Sequence, residues 1–479
     1  DGNDPKTAEL RGQWASERGD LERARAEYTT AIERWQTRGL NGDARRASLG
    51  LIELALRAGD APLAVELAES LLVESAQQGD SRLEGDGREA LGRAYTGLGK
   101  FAFAIEHLSA ATELARSRGD VRREATGRYH LGNALAQERK RPQEAEQAYR
   151  IAADAFRSLR DDLWEVKSLA NLALMAERDG RRLQAREAYR DALARVRELG
   201  IPRELGRISF NVGVNERELG QLADAAAHFA EAAQALQQAG ATDVRIVVAA
   251  ARADLAYLQG DASGARKVLD EVNELRESSA PLPKSSWLTA AARGFELAGD
   301  NERADALLSE AENVRLQAGV RTALLDVQLR RLRLNMISTD AARGAQLSIE
   351  RIEDELQRLG EAKFAMTARL AAVEAKLMSG DLNAAKMLIE GLRANIQSRG
   401  NRTQQLQLDW LNALSSKDEL RKQRLLSLTA DAKAAGFELL SRLAMRELSA
   451  SASTERIAMD RAFVMDGLQG ATRSAAAAF

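Results

Sequence analysis

The feature that most constrains this chain is a regular spacing of small residues. Turn glycines recur at one fixed spacing or at about twice that spacing, and an alanine follows each expected turn at the same short distance. Ten such alanines lie about 40 residues apart, a spacing in the range of known helical repeats. They are Ala24, Ala64, Ala104, Ala145, Ala185, Ala225, Ala265, Ala304, Ala345 and Ala385. A fixed period of this size predicts a chain built from one repeated structural unit.

The spacing also predicts what each unit contains. One set of glycines includes Gly99, Gly180 and Gly220, and a second set lies half a period away. Glycine readily adopts the left-handed conformation that ends a helix, so two turns per period predict two helices of about 15 to 18 residues each. A single hairpin would leave an apolar face exposed, so neighbouring units must stack on one another.

The residues around these turns resemble the tetratricopeptide repeat. The run Leu91–Tyr95, then Gly99, Ala104, Leu108 and Ala111, is similar to that family's pattern across its two helices. The family's Trp and its closing Pro are mostly absent, and a unit of about 40 residues exceeds the family's usual length of about 34. The sequence is therefore most similar to the long-unit variants found in bacterial signalling and regulatory proteins.

From the period and the resemblance we predict an all-α fold, a right-handed superhelix of about ten or eleven antiparallel helical hairpins. The array covers residues 1–450, and a tail at 451–479 follows, with a short capping helix at Met459–Leu468. A Ser/Pro stretch at 277–286 replaces one expected glycine turn. It predicts a solvent-exposed loop, with a hinge or a partner contact as the alternative.

Composition excludes several classes of function. The chain has no Cys and only three His, which argues against disulfides, thiolate zinc sites and histidine-based catalysis. A net charge of −2 does not favour nucleic-acid binding, and no stretch approaches the roughly 20 apolar residues of a membrane span. We expect no catalysis, no bound metal or cofactor, no nucleic-acid partner and no membrane insertion by this chain.

The resemblance implies that the first helix of each hairpin lines a concave groove. Arginine beside aromatic residues is typical of binding hot spots, and an Asn amide can hold an extended backbone. The candidate partner-binding residues are Arg93, Tyr129, Asn133, Arg178, Phe210 and Arg217. The three arginines predict a segment that carries carboxylates. The alternative is that all six are ordinary solvated positions.

Two functions remain open at this stage. In the first, the chain is a non-catalytic scaffold that binds a partner protein or an extended peptide in its groove. In the second, it is the sensory or regulatory portion of a larger bacterial signalling protein, such as a winged-helix transcription regulator or a serine/threonine kinase. The absence of an initiator Met favours the second. The compartment, periplasmic or cytoplasmic, stays open, and self-association through another face is the competing mode of binding.

Overall fold

The computed structural model of the protein describes residues 4–17, 20–58, 60–277, 279–399 and 401–449. The predicted capping helix at Met459–Leu468 and the tail at 451–479 lie outside these residues, as do the turn glycines Gly19, Gly59 and Gly400. The regular secondary structure of the described residues is entirely helical. The all-α prediction is confirmed.

The chain divides into two compact units, residues 1–175 (unit 1) and 176–479 (unit 2), and the division falls within helix α9. Unit 1 contains α1 (Pro5–Glu17), α2 (Leu21–Thr37), α3 (Asn41–Ala58), α4 (Ala61–Gln78), α5 (Ser81–Gly97), α6 (Phe101–Ser117), α7 (Val121–Glu138), α8 (Pro142–Ser158) and most of α9 (Asp162–Arg178). Unit 2 continues with α10 (Arg182–Leu199), α11 (Pro202–Glu218), α12 (Leu222–Gln238), α13 (Thr242–Leu258), α14 (Ala262–Asp270), α15 (Asn273–Arg276), α16 (Pro281–Leu297) and α17 (Asn301–Gln317). Its last helices are α18 (Arg321–Leu334), α19 (Thr339–Arg358), α20 (Ala362–Met378), α21 (Leu382–Ser398), α22 (Arg402–Leu414), α23 (Asp418–Ala434) and α24 (Glu438–Ser449).

Consecutive helices pair as antiparallel hairpins, as the glycine spacing predicts. Ten hairpins lie within the units among the described residues: four in unit 1, from α1–α2 to α7–α8, and six in unit 2, from α11–α12 to α22–α23. Helix α24 packs on the last of them. We call the helix that opens each hairpin its first helix; in unit 1 these are α1, α3, α5, α7 and α9. The helix that closes the hairpin is its second helix.

The turns between helices follow the predicted backbone chemistry. Gly99, Gly180 and Gly220 adopt φ values of 70°, 82° and 80°, the left-handed region in which glycine has no Cβ penalty. Where the period lacks a glycine, Arg139 and Arg160 take the same conformation, at φ 66° and 54°. The period of the fold therefore continues where the glycine signal is missing.

All ten periodic alanines are buried, at 6% exposure or less. Each lies in a second helix, where a small side chain lets the first helix of the hairpin approach closely. Gly92 shows the same constraint from the other side, since a Cβ built there would collide with the side chain of Leu108. Small residues on both helices set the distance between them.

The loop predicted at 277–286 extends too far, because a helix begins within these residues. Helix α16 begins at Pro281, with proline in the first turn, where its missing N–H costs no hydrogen bond. Pro283, Ser285 and Ser286 are buried, and Ser285 Oγ accepts a hydrogen bond from Arg315. The Ser/Pro composition marks the start of a helix here, and the connection itself ends at Ala280.

Unit 2 has one large core that joins distant parts of the sequence. Phe210 and Val214 of α11 belong to the same buried cluster as Met366 of α20 and Trp410 of α22. Helix α24 also packs against α13. The C-terminal helices therefore cover the first helices α11 and α13.

Candidate functional site

The first helices of unit 1 are tied to one another by ion pairs. Arg93 on α5 contacts Glu53 on α3 at 2.8 Å, and Arg123 on α7 contacts Asp86 on α5 at 2.7 Å. The two members of each pair come from successive repeats, so each pair links neighbouring hairpins. Arg93 is half-buried with its charge already balanced by Glu53, which makes it a weaker attractor for an acidic partner than expected.

A second contact between α5 and α7 involves Glu89 and His130, whose carboxylate and Nε2 lie 3.8 Å apart. Burial raises the pKa of Glu89 to about 7, although Arg93 opposes the shift. Burial also lowers the pKa of His130 well below its ordinary value, with Arg93 and Lys167 acting in the same direction. Near neutral pH His130 is therefore uncharged and Glu89 is only partly ionised.

Tyr129 is half-buried and packs against other rings. Its centroid lies 5.2 Å from that of Trp164, 5.3 Å from that of His130 and 6.0 Å from that of Tyr149, in edge-on arrangements that aromatic pairs prefer. Phe156 stacks on Trp164 at 5.5 Å. Tyr129 is thus part of the packing between α7, α8 and α9, with part of its side chain exposed.

Asn133 joins two neighbouring first helices. Its Oδ1 accepts hydrogen bonds from the Tyr149 hydroxyl at 2.8 Å and from Asn171 Nδ2 at 3.0 Å. Asn133 Nδ2 and Asn171 Oδ1 make no hydrogen bond to any described residue. Both side chains are half-buried, so this pair presents one amide donor and one amide acceptor at the surface of α7 and α9.

The three candidate residues of unit 2 behave differently. Phe210 is fully buried and packs against Phe229 at 5.8 Å, and Arg217 is only 3% exposed. The cause is the cover formed by the C-terminal helices: Thr403 at the start of α22 donates a hydrogen bond to the carbonyl of Arg217. Phe210 and Arg217 therefore do not line an open groove. Arg178 lies half-buried at the end of α9.

The same cover is held by a buried charge cluster that the sequence analysis missed. Arg182 donates to Glu218 Oε2 at 2.8 and 2.9 Å and to the carbonyl of Arg399 at 2.7 Å. Lys363 contacts the other oxygen of Glu218. Burial would raise the pKa of Glu218, but Lys363 and Arg182 outweigh it and lower that pKa to about 2. Glu218 stays ionised and links α11 to α10 and α20.

The sequence does contain a signal for Glu53 and Asn171, the unit 1 partners that the candidate set left out. Glu53 and Arg93 lie one full repeat apart, and Asn133 and Asn171 lie almost one repeat apart, so each pair occupies similar positions in successive repeats. Pairs of complementary side chains at the repeat period indicate contacts between first helices. The six candidates are divided between the units, with Arg93, Tyr129 and Asn133 in unit 1.

Metal-binding sites and membrane-spanning helices can be checked directly in the structure. In the part of the chain that the structure describes, no group of three or more His, Asp or Glu side chains is arranged to hold a metal ion. None of the helices in those ranges combines the length and hydropathy that crossing a bilayer requires.

Comparison with known proteins agrees with the repeat pattern. The tetratricopeptide repeat family model matches residues 10–80 and 89–159, which are segments of unit 1. These two segments are tetratricopeptide repeats. The second matched segment includes Asn133 on α7, whereas Asn171 on α9 lies beyond it. No curated protein matches the sequence.

Among solved structures, the chain is similar to the apo form of RapI, with a TM-score of 0.51 and 12% identity over 78% of this chain and 97% of that one. A Rap protein complexed with competence and sporulation factor gives a TM-score of 0.46 at 12% identity, covering 79% of this chain and 98% of that one. Yeast Tom70 gives 0.34 at 16% identity, covering 90% and 95%. The likeness to RapI is one of fold.

Proposed function

We propose that the protein is a non-catalytic protein-interaction scaffold that binds an extended segment of a partner along the first helices of unit 1. The observation that carries the proposal is the linked amide pair of Asn133 and Asn171. The family match over unit 1 supports it, because stacked helical repeats create extended concave surfaces that serve in binding. In unit 2, the first helices α11 and α13 are instead covered by that unit's own C-terminal helices.

The amide pair suits an extended backbone for a geometric reason. An extended segment presents an N–H donor and a C=O acceptor at every residue, and it must satisfy them when it leaves water. Asn133 Nδ2 supplies a donor and Asn171 Oδ1 an acceptor, and the bond between the two side chains fixes their orientation before binding. Such an arrangement holds the main chain of a partner with little dependence on its sequence.

The charges on the same face of unit 1 indicate what kind of partner segment can bind there. Glu53 balances Arg93, and near pH 7 His130 is uncharged and Glu89 is partly ionised, so neither adds positive charge. The strongly acidic segment expected from three open arginines is therefore disfavoured. A segment of mixed polar and apolar residues fits this surface better.

The test is selection of peptides from a random displayed library on the full chain, followed by titration of the chosen peptides against variants. Asn133→Asp keeps the Oδ acceptor for Tyr149 and Asn171 but removes the free donor. It should weaken binding by about tenfold, the loss expected for one hydrogen bond to a partly buried group. Arg116→Ala, an exposed residue on second helix α6, is the matched control and should bind as the unmodified chain does.

Selected peptides that bind Asn133→Asp and the unmodified chain equally would refute the site. Failure to select any peptide would refute peptide binding itself.

A further inference from the structure

Unit 2 contains a cleft between α17, α18 and α19 that none of the preceding functions uses. Its volume is about 490 Å³, within the range of small-molecule sites. The floor is apolar, formed by Leu325 and Ile352, which are 1% and 7% exposed, together with Leu332. The walls are polar and charged: Glu312, Arg321, Gln328, Arg331, Asn335, Ser348, Arg351 and Glu355.

Two of the three arginines in the walls are held by carboxylates. Arg331 donates to both oxygens of Asp305 at 3.0 Å and to Glu312 at 2.7 Å. Arg321 contacts both oxygens of Glu355, at 2.5 and 2.7 Å. These paired side chains form the frame of the cleft, and their charges are already compensated.

Arg351 is the exception. It lies one helical turn before Glu355 on α19, but both oxygens of that carboxylate are taken by Arg321, and Arg351 forms no ion pair with any described residue. Ser348 lies three residues earlier on the same helix, and its hydroxyl likewise makes no hydrogen bond within the described ranges. Residues three apart on a helix are neighbours, so the cleft presents a guanidinium and a hydroxyl side by side.

The opposite wall offers acceptors. Gln328 uses its amide NH₂ on Glu312, at 2.9 Å, and Asn335 uses its NH₂ on Asp305, at 3.2 Å. The carbonyl oxygens of both amides are left to accept a hydrogen bond from another group. The cleft thus combines anion-binding donors, amide acceptors and an apolar floor.

We propose that this cleft binds a small ligand with an α-carboxylate, a nearby N–H group and an apolar side chain, the chemistry of a large apolar amino acid or a dipeptide of such residues. The carboxylate pairs with Arg351 and Ser348, because a planar guanidinium binds a carboxylate through two parallel hydrogen bonds. The ligand's N–H group faces Gln328 and Asn335, and its side chain covers Leu325. Arg351 is the one arginine of the cleft walls without a carboxylate partner among the described residues, which favours a ligand with a single carboxylate over a more highly charged anion.

Calorimetric titration of the full chain with leucine, phenylalanine and the dipeptide Leu-Phe tests the proposal. The dipeptide series separates a free amino acid from a peptide end as the source of the same chemistry. Saturable binding of at least one of these probes is expected. The same compound with its carboxylate converted to an amide should bind at least about tenfold more weakly.

The matched variants are Arg351→Ala and Arg343→Ala, both exposed positions on α19. Arg343 pairs with Asp340, one turn earlier, and does not line the cleft. Arg351→Ala should weaken binding about tenfold or more, while Arg343→Ala should leave it unchanged. Absence of saturable binding by all three probes would overturn the proposal, as would equal binding by both variants and the unmodified chain.

Discussion

Two glycines of helix α5 should respond in opposite ways to the same substitution. Gly92 and Gly85 lie two helical turns apart in α5, and both have ordinary helical backbone. A Cβ built at Gly85 meets no described atom within 4 Å, whereas a Cβ at Gly92 collides with Leu108 and lies 3.1 Å from the carbonyl oxygen of Ala104. The difference arises entirely from the close approach of α6.

The expected magnitudes follow from these contacts. Gly→Ala in an exposed helix interior stabilises by about 0.5–1 kcal/mol, which is the prediction for Gly85→Ala. The same gain applies at Gly92, but Leu108 is fully buried and the Ala104 oxygen belongs to the backbone, so neither can move freely. Overpacking of this kind costs about 1–3 kcal/mol, so Gly92→Ala should be destabilised by about 1–2 kcal/mol net.

Hydrogen exchange of the α5 and α6 amides in the full chain measures both effects locally, since the free energy of opening is read from the protection of each segment. The Gly85→Ala variant should exchange more slowly there and the Gly92→Ala variant about tenfold faster. Shifts in the same direction for both variants would mean that the packing of α5 on α6 has been assigned incorrectly.

Three further substitutions test other parts of the structure. The pKa of Glu89 is raised from 4.5 to about 7, so the folded state loses stability as pH rises through that interval. In denaturation measurements, Glu89→Gln should therefore raise the free energy of unfolding by about 1–2 kcal/mol at pH 8 and leave it unchanged at pH 4. A variant whose gain is the same at both pH values would contradict this assignment. Glu218→Gln leaves Arg182 and Lys363 without their carboxylate and should lower the free energy of unfolding by about 3 kcal/mol. The loss should appear as faster amide hydrogen exchange in α11 and α20, and unchanged exchange there would argue against the buried cluster. Ala185→Leu, at a fully buried position of α10, should lower the free energy of unfolding by about 1–3 kcal/mol through overpacking, and a neutral result would misplace that helix.

The repeat architecture was predictable because it depends on local chemistry. Left-handed turns at residues such as Gly180 and close helix approaches at residues such as Ala185 recur at a fixed period, so each copy reinforces the others.

The candidate site was less predictable because accessibility depends on residues far away in sequence. Phe210 and Arg217 occupy first-helix positions that the repeat pattern assigns to a groove, but α20 and α22 cover them, and Thr403 is 186 residues from Arg217. A periodic pattern shows which side of its own helix a residue occupies. It does not show which distant helix packs there.

Arg93 and Asn133 illustrate a different limit. Their positions on first helices were identified correctly, but their partners, Glu53 and Asn171, lie on neighbouring repeats. A single residue type suggests a charge or an amide, and only the pair shows how much of that capacity remains for a ligand. Comparison of residues one period apart is therefore the more informative reading of such a sequence.

The most direct test of the account is to locate a bound segment on the full chain by photo-cross-linking a selected peptide. We predict attachment to first helices α7 and α9, close to Asn133 and Asn171, with loss of that attachment in the Asn133→Asp variant. Attachment instead to second helices α6 or α8, or to residues 202–449, would contradict the claim that the first helices of unit 1 form the partner-binding surface.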